Sequence, residues 1–262
     1  LDALGFIPVL RKKQEKVMLQ IVSKPPVKHS RRTTNLSLFF LTIGTVLFAG
    51  YLQSLGLAEV RPDLMPDPFL GAVMFTGALL AILGAHEGAH KIVASIHGIE
   101  ASYPYFIPGL PPLGTFGAVI QQKSLAPNKD SLFDLGVSGP IVGFIVAIIV
   151  TIIGLPLSGL KVWEGEEVLP GSPILFGLLA DVSSPKGSGN LILLHPVAFA
   201  GWVGMLVTLI NLIPAGQLDG GHAVRSVLGE KVSMFLSIFV IVILVLLNPY
   251  MYWLVAILAF LQ

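Results

Sequence analysis

Three residues have the types and spacing needed to hold a metal ion and to activate water on it: His86, Glu87 and His90. On a helix, residues four apart share a face, so both imidazoles point the same way and can bind one divalent cation. Glu87 projects about 100° away from His86, close enough to work on a metal-bound water without being a ligand. The spacing predicts a hydrolytic metal site that needs a third protein ligand from elsewhere in the chain.

These residues end an apolar run that starts at Phe69. Ionisable side chains at membrane depth cost several kcal/mol unless they are paired or functional. At 1.5 Å per residue, His86 lies roughly 26 Å from the outer end of this run. The histidine pair is therefore predicted inside the bilayer, near the cytoplasmic boundary of the membrane. The alternative is a pair of structural histidines bonded to neighbouring helices.

Composition places the chain in a lipid bilayer. Of its 262 residues, 54% are hydrophobic and 12% are charged, whereas a soluble domain carries roughly 25% charged residues. The net charge of +1 argues against a nucleic-acid-binding surface. Because there is no cysteine, any zinc must be held by histidine, aspartate or glutamate.

The apolar runs predict an all-α polytopic membrane protein with about six transmembrane helices, in a domain covering residues 36–262. The first four spans are predicted at about 36–57, 69–97, 134–157 and 195–213. The apolar stretch 232–262 is split by Asn248-Pro249 into two shorter spans.

Residues 1–35 form a basic segment ahead of the first span, which the positive-inside rule places in the cytoplasm. This segment is either a solvated tail or lies on anionic lipid, and both give the same topology. Six spans return the C-terminus to the cytoplasmic side. Because the chain starts at Leu1 rather than methionine, we expect sequence to precede it.

Residues 99–130 are predicted to form a re-entrant loop that dips back toward the metal. The stretch 103–114 holds four prolines and two glycines, which exclude a helix, and charge is scarce until Lys123. Apolar backbone without a helix must be buried or line a cavity. Residues 115–122 indicate an extended strand that could pair with an unwound substrate. The alternative is a peripheral loop on the membrane surface.

Asp219 is the expected third ligand. Pro214, Gly216 and Gly220 break the helix after the fourth span, so Asp219 is predicted on irregular backbone at the inner face. The second and fourth predicted spans both run from the outside to the inside. Asp219 is therefore expected at the same membrane depth as His86 and His90. The preceding loop, residues 158–194, is acidic and predicted to be extracytoplasmic, with one short helix near 174–179.

Two long motifs carry a resemblance to a known family. The H-E-x-x-H pattern at 86–90, followed by N-x-x-P-x-x-x-L-D-G at 211–220, resembles the site-2 protease family of intramembrane zinc metalloproteases. Residues 114–118 resemble the family's membrane-embedded β-loop, and 138–140 its small-Gly-Pro element. The context of Gly117 is most similar to archaeal and plastid-type members, and no PDZ domain interrupts the core.

The resemblance implies one zinc ion per chain, bound by His86, His90 and Asp219, with Glu87 activating the water. Asn211 would position the substrate or the developing oxyanion. It also implies a three-helix catalytic core and, as substrates, transmembrane segments of membrane-anchored regulatory proteins.

Two other functions remain open at this stage: a membrane metal transporter using the same three ligands, and a catalytically silent relative that binds without cleaving. Neither function gives a reason for Glu87 directly after the first histidine. Among the other histidines, His195 is expected far from the metal, His222 beside it or at the interface, and His97 at the membrane interface.

Overall fold

The computed structural model describes residues 6–13, 16–23, 32–161, 173–185, 191–214 and 218–247. Most of these residues are helical, as predicted. The strands form three separate two-stranded antiparallel sheets. The chain divides into two units, residues 1–30 and 31–262.

The first unit contains one β-hairpin. Strands β1 (Phe6–Lys13) and β2 (Lys16–Ser23) pair antiparallel, with Phe6 opposite Ser23. The charge pattern predicted only the basic character of this segment, and its apolar and β-branched residues favour the extended backbone seen here. The remaining residues of the basic segment up to 31 lie outside the described ones.

In the second unit, the described helices are α1 (Arg32–Val60), α2 (Pro68–Ile96), α3 (Lys129–Gly154), α4 (Ile174–Ser183), α5 (Pro196–Asn211), α6 (Asp219–Leu228) and α7 (Glu230–Leu247). A short 3-10 turn, Leu155–Leu157, extends α3. The strands are β3 (Tyr105–Pro108), β4 (Thr115–Val119), β5 (Gly159–Lys161) and β6 (Leu191–Leu193).

Among the described residues, three helices are long and apolar enough to cross a membrane: α1, α2, and α3 with its 3-10 turn, each 29 residues. At 1.5 Å per residue each measures about 43 Å, which exceeds a hydrocarbon core of about 30 Å. The fourth predicted span corresponds to α5, with 16 residues. The fifth corresponds to α7, and the sixth lies outside the described residues.

Side-chain caps decide where two of these helices begin. Asp67 Oδ1 accepts hydrogen bonds from the backbone N–H of Phe69 and of Leu70, at 2.9 and 3.2 Å. Asn128 Oδ1 accepts from Ser131 N at 2.7 Å, so α3 starts at residue 129, five residues before the predicted start. Each cap satisfies backbone donors that the first turn leaves free.

Helix α3 packs against α2, α5 and α6, while α1 packs against α2 and β3. Small residues bring these backbones together. A Cβ at Gly201 of α5 would lie 2.9 Å from the Thr151 backbone of α3, and one at Gly204 would meet Ile82 of α2. Close approach of this kind is typical of helices packed in a membrane.

The segment between α3 and α5 contains the predicted short helix. Helix α4 begins at Ile174 and continues to Ser183, four residues beyond the predicted end. Strands β5 and β6 pair antiparallel on either side of it. The acidic residues 164, 166 and 167, used to predict an extracytoplasmic loop, lie outside the described residues.

Candidate metal centre

The C-terminal part of α2 places His86, Glu87 and His90 in the interior, where each side chain is buried. The i to i+4 spacing sets the two imidazoles side by side, with ring centroids 4.9 Å apart. Their Nε2 atoms are separated by 3.3 Å. The predicted pairing of the two histidines is therefore present.

Asp219 completes a cluster of three candidate ligands. Its Oδ2 lies 3.1 Å from His86 Nε2 and 3.3 Å from His90 Nε2. The prediction of irregular backbone at Asp219 was wrong, because this residue begins helix α6. The helix break falls earlier, after α5 ends at Asn211, and residues 215–217 of that link lie outside the described ones.

A glycine explains how α6 starts so close to the end of α5. A Cβ at Gly220 would meet the carbonyl groups of Leu212 and Ile213. Any larger residue would push the first turn of α6 away from α5. The glycine after the aspartate therefore lets the chain turn back and brings Asp219 to the two histidines.

The face of α3 toward the cluster is also made of glycine. A Cβ at Gly139 would contact the His90 ring, and one at Gly143 would lie 2.9 Å from His86 Nδ1. At Gly136 it would lie 2.9 Å from the Asp219 carbonyl oxygen. Each of the three glycines thus makes room for one of the three ligand residues.

Hydrogen bonds define which imidazole nitrogens are free to bind a cation. His90 Nδ1 lies 2.7 Å from the Leu135 carbonyl oxygen, which can only accept, so Nδ1 carries the proton. Asn211 Nδ2 lies 3.4 Å from His86 Nε2 and can only donate, so this ring nitrogen carries a lone pair, which a bound cation would take in place of the amide. In the neutral imidazoles, both Nε2 atoms therefore direct lone pairs at the cluster.

The donor set fits a tetrahedral zinc ion. Two nitrogen lone pairs and a carboxylate oxygen 3.1–3.3 Å apart repel one another unless a proton or a metal cation lies among them. With bonds of about 2.0–2.1 Å, two ligands of a tetrahedral zinc stand about 3.3 Å apart. The observed separations match that edge length.

The other two predicted site residues, Glu87 and Asn211, lie next to the three candidate ligands. Asn211 is the last residue of α5 and contacts His86. Glu87 lines the adjoining cavity, and the Ile120 backbone N–H faces its carboxylate. The structure thus brings together Glu87, Asn211 and the three candidate ligands from three separate helices.

A cavity of about 660 Å³ opens beside the cluster, a volume in the range of substrate sites. One wall is the chain segment 116–122, which includes most of β4. Apolar side chains form much of the rest: Leu83, Leu135, Val207 and Leu218. The predicted strand at 115–122 therefore lies next to the candidate metal site.

The edge of this strand that is not paired with β3 directs backbone groups toward the cavity. Ser102 N donates to the Gln121 carbonyl at 2.9 Å, and Lys123 N donates to the Glu100 carbonyl at 2.7 Å. Because strand residues alternate, the backbone groups of Ile120 and Gln122 point the other way. That direction is toward the cavity, as the position of Ile120 beside Glu87 requires.

Three other histidines lie at different places relative to the cluster. His222 lines the cavity one turn after Asp219. His195 caps the opposite end of α5, where its Nδ1 accepts from Val197 N at 3.2 Å. His97 Nε2 pairs with Asp134 at 2.9 Å, which joins the end of α2 to α3.

Comparison with known proteins identifies the family to which this site belongs. The family model described as Peptidase family M50 matches residues 74–248, which include both motifs and all five site residues. The chain belongs to peptidase family M50. No solved structure matches it.

Several plant proteins resemble this member of family M50. "Probable zinc metalloprotease EGY1, chloroplastic" of Oryza sativa subsp. japonica is 34% identical over 235 residues, covering 80% of this chain and 40% of that protein. "Probable zinc metalloprotease EGY2, chloroplastic" of Arabidopsis thaliana is 33% identical over 182 residues, 67% of this chain and 31% of that protein. The chain spans about two fifths or less of these relatives' length.

Proposed function

We propose that this chain is an intramembrane zinc metalloprotease that hydrolyses peptide bonds within transmembrane segments of membrane-anchored proteins. The observation that carries the proposal is the convergence of Asp219 with His86 and His90, beside Glu87. Membership of family M50 and the names of the plant relatives support it.

In this proposal His86, His90 and Asp219 hold one zinc ion per chain. Three protein ligands are the number typical of catalytic zinc sites. When bound, zinc polarises the scissile carbonyl and lowers the pKa of its water toward about 7.

The chain's own residues supply the proton transfer and the orientation. Glu87 takes a proton from the attacking water and returns it to the leaving nitrogen. Asn211 Nδ2 serves as a donor to the oxyanion that develops on the carbonyl. Both groups lie on helix residues next to the ligands, which holds them in position.

The substrate enters as an extended segment. A peptide bond inside a helix is shielded by its own hydrogen bonds, so the substrate must unwind before cleavage. The free edge at residues 118–122 offers backbone donors and acceptors for a new strand. Substrates are therefore membrane proteins whose spanning helix unwinds near the cytoplasmic side.

The membrane arrangement is part of the same proposal. Six spans place both termini in the cytoplasm, and the metal site lies inside the bilayer near its cytoplasmic boundary. The β3–β4 hairpin is the re-entrant loop between α2 and α3. It is supported by the low charge of residues 103–122 and by the burial of Phe106 and Thr115.

Cleavage of a purified membrane-spanning substrate tests the function. Glu87→Gln should lower kcat by 10²-fold or more, because the general base is lost, while zinc content remains at one per chain. Asp219→Ala should lose both zinc and activity. Equal cleavage by Glu87→Gln and the unchanged chain would overturn the proposal, and zinc transport in proteoliposomes would instead support a transporter.

A further inference from the structure

We propose that α1 is the positioning element for the substrate-binding strand, and that Asn35, Thr45 and Gln53 are positioning residues. These side chains hold the 103–114 segment so that the following strand lies against the Glu87 cavity. This inference rests on the proposed function and assigns a role to a helix that contributes no residue to the metal site.

The hydrogen bonds between α1 and the 103–114 segment of the β3–β4 hairpin are donated by side chains of α1 to backbone carbonyls. Asn35 Nδ2 donates to the Tyr103 carbonyl at 3.0 Å. Thr45 Oγ1 lies closest to the Gly114 carbonyl, at 2.7 Å. Gln53 Nε2 donates to the Pro112 carbonyl at 2.5 Å.

The sequence of the hairpin explains why it needs outside donors. Four prolines between residues 103 and 114 remove backbone N–H groups, so its carbonyls cannot all be paired within the segment. Unpaired carbonyls at membrane depth are costly, since no lipid group can donate to them. Asn35 and Gln53 remove that cost for the Tyr103 and Pro112 carbonyls. Thr45 adds a second donor to the Gly114 carbonyl, which also accepts from Gly109 N.

The three donors lie on one face of α1 and extend along most of its length. At 100° per residue they fall within about 80° of one another around the helix. Asn35 and Gln53 are separated by roughly 27 Å along its axis. The hairpin is therefore fastened from near the start of α1 to near its end.

Close packing fixes the distance between the two elements. Gly114 has φ +75° and lies directly on α1, where a Cβ would be 2.6 Å from Val46 Cα. Further along, the rings of Phe39 and Phe106 meet edge to face, with centroids 5.1 Å apart. Only glycine fits at residue 114, in both conformation and space.

The consequence concerns substrate binding. Residue 114 immediately precedes β4, whose free edge faces the Glu87 cavity. A strand held in advance does not have to be ordered when the substrate pairs with it. Releasing the hairpin from α1 should therefore weaken substrate binding and leave the metal site intact.

The test combines kinetics with a probe of the hairpin. Because the chain has no cysteine, a nitroxide on a single cysteine at Leu110, whose side chain is 75% exposed, reports on the hairpin alone. In Thr45→Val with Gln53→Leu, we expect higher label mobility, a KM raised about tenfold, kcat within twofold, and zinc unchanged.

Two matched variants separate positioning from general damage. Thr45→Ser keeps the hydroxyl donor and should retain the mobility and the KM of the unchanged chain. Thr76→Val removes a hydroxyl that bonds within its own helix, to the Ala72 carbonyl, and should change neither. Gly114→Ala should reproduce the double variant by pushing the hairpin off α1.

Unchanged label mobility in both the double variant and Gly114→Ala would overturn the proposal, as would higher mobility with an unchanged KM. Absence of cleavage by the unchanged chain would instead overturn the proposed protease function. In that case the label mobility alone decides whether α1 holds the hairpin.

Discussion

At the scale of single residues, the glycines of α3 set the geometry of the candidate metal centre. They occupy the positions that face the three candidate ligands. Gly139 and Gly143 leave room for the rings of His90 and His86. The Leu135 carbonyl then fixes the orientation of His90. Support of this kind around a ligand typically changes metal affinity by 10–100-fold when it is lost.

We therefore expect Gly139→Ala to weaken zinc binding by about tenfold or more, because the new methyl group displaces the His90 ring. Metal analysis after dialysis against graded chelator measures the change. Gly84→Ala on α2 is the matched control, since a Cβ there meets nothing within 4 Å. Equal zinc retention in the two variants would contradict this role for Gly139.

At the scale of elements, one edge of the strand lies beside the candidate metal site. The β3–β4 pair uses only one edge of residues 115–123, and the other edge faces the cavity. The Gln122 backbone N–H is among the groups directed away from β3. Substrate pairing at this edge would place a peptide bond within reach of Glu87.

Gln122→Pro removes that N–H without touching the pairing of Ser102 with Gln121 or of Lys123 with Glu100. One lost hydrogen bond of about 0.5–1.5 kcal/mol should raise KM about two- to tenfold, with little change in kcat. Gln122→Ala keeps the N–H and serves as the control. A KM for Gln122→Pro equal to that of the control would argue against strand addition here.

At the scale of the whole molecule, the described residues contain three helices long enough to span a membrane. Helices α5 and α7 are shorter, at 16 and 18 residues. The proposed six-span topology would place residues 1–35 in the cytoplasm and the link between α1 and α2 on the opposite side. Each side of the membrane can be probed separately.

Single cysteines at Val17 and Glu59, both exposed, test this topology in a chain that has no other cysteine. With a membrane-impermeant maleimide, we expect Glu59→Cys to be labelled in right-side-out vesicles and Val17→Cys only in inside-out vesicles. Labelling of both positions from the same side would contradict the topology. Solubilised protein gives the control, in which both react.

Much of the candidate site could be predicted from sequence because its signals are local. Spacing by four residues pairs His86 with His90 on any helix, and a long apolar run predicts a membrane span. The positions of Glu87 and Asn211 followed from motifs of a family. The re-entrant segment was predicted from prolines at 103–114 that exclude a helix, and the strand from residues 115–122 that follow them.

Other features depend on residues distant in sequence, which local patterns do not encode. The sequence by itself determined the class of molecule, the histidine pair and Asp219 as the third candidate, through periodicity and hydropathy. Only the tertiary structure decided that Asp219 begins a helix, that three glycines of α3 admit the ligands, and that α1 holds the hairpin. The reason is physical: these contacts join segments up to 133 residues apart, and packing alone brings them together.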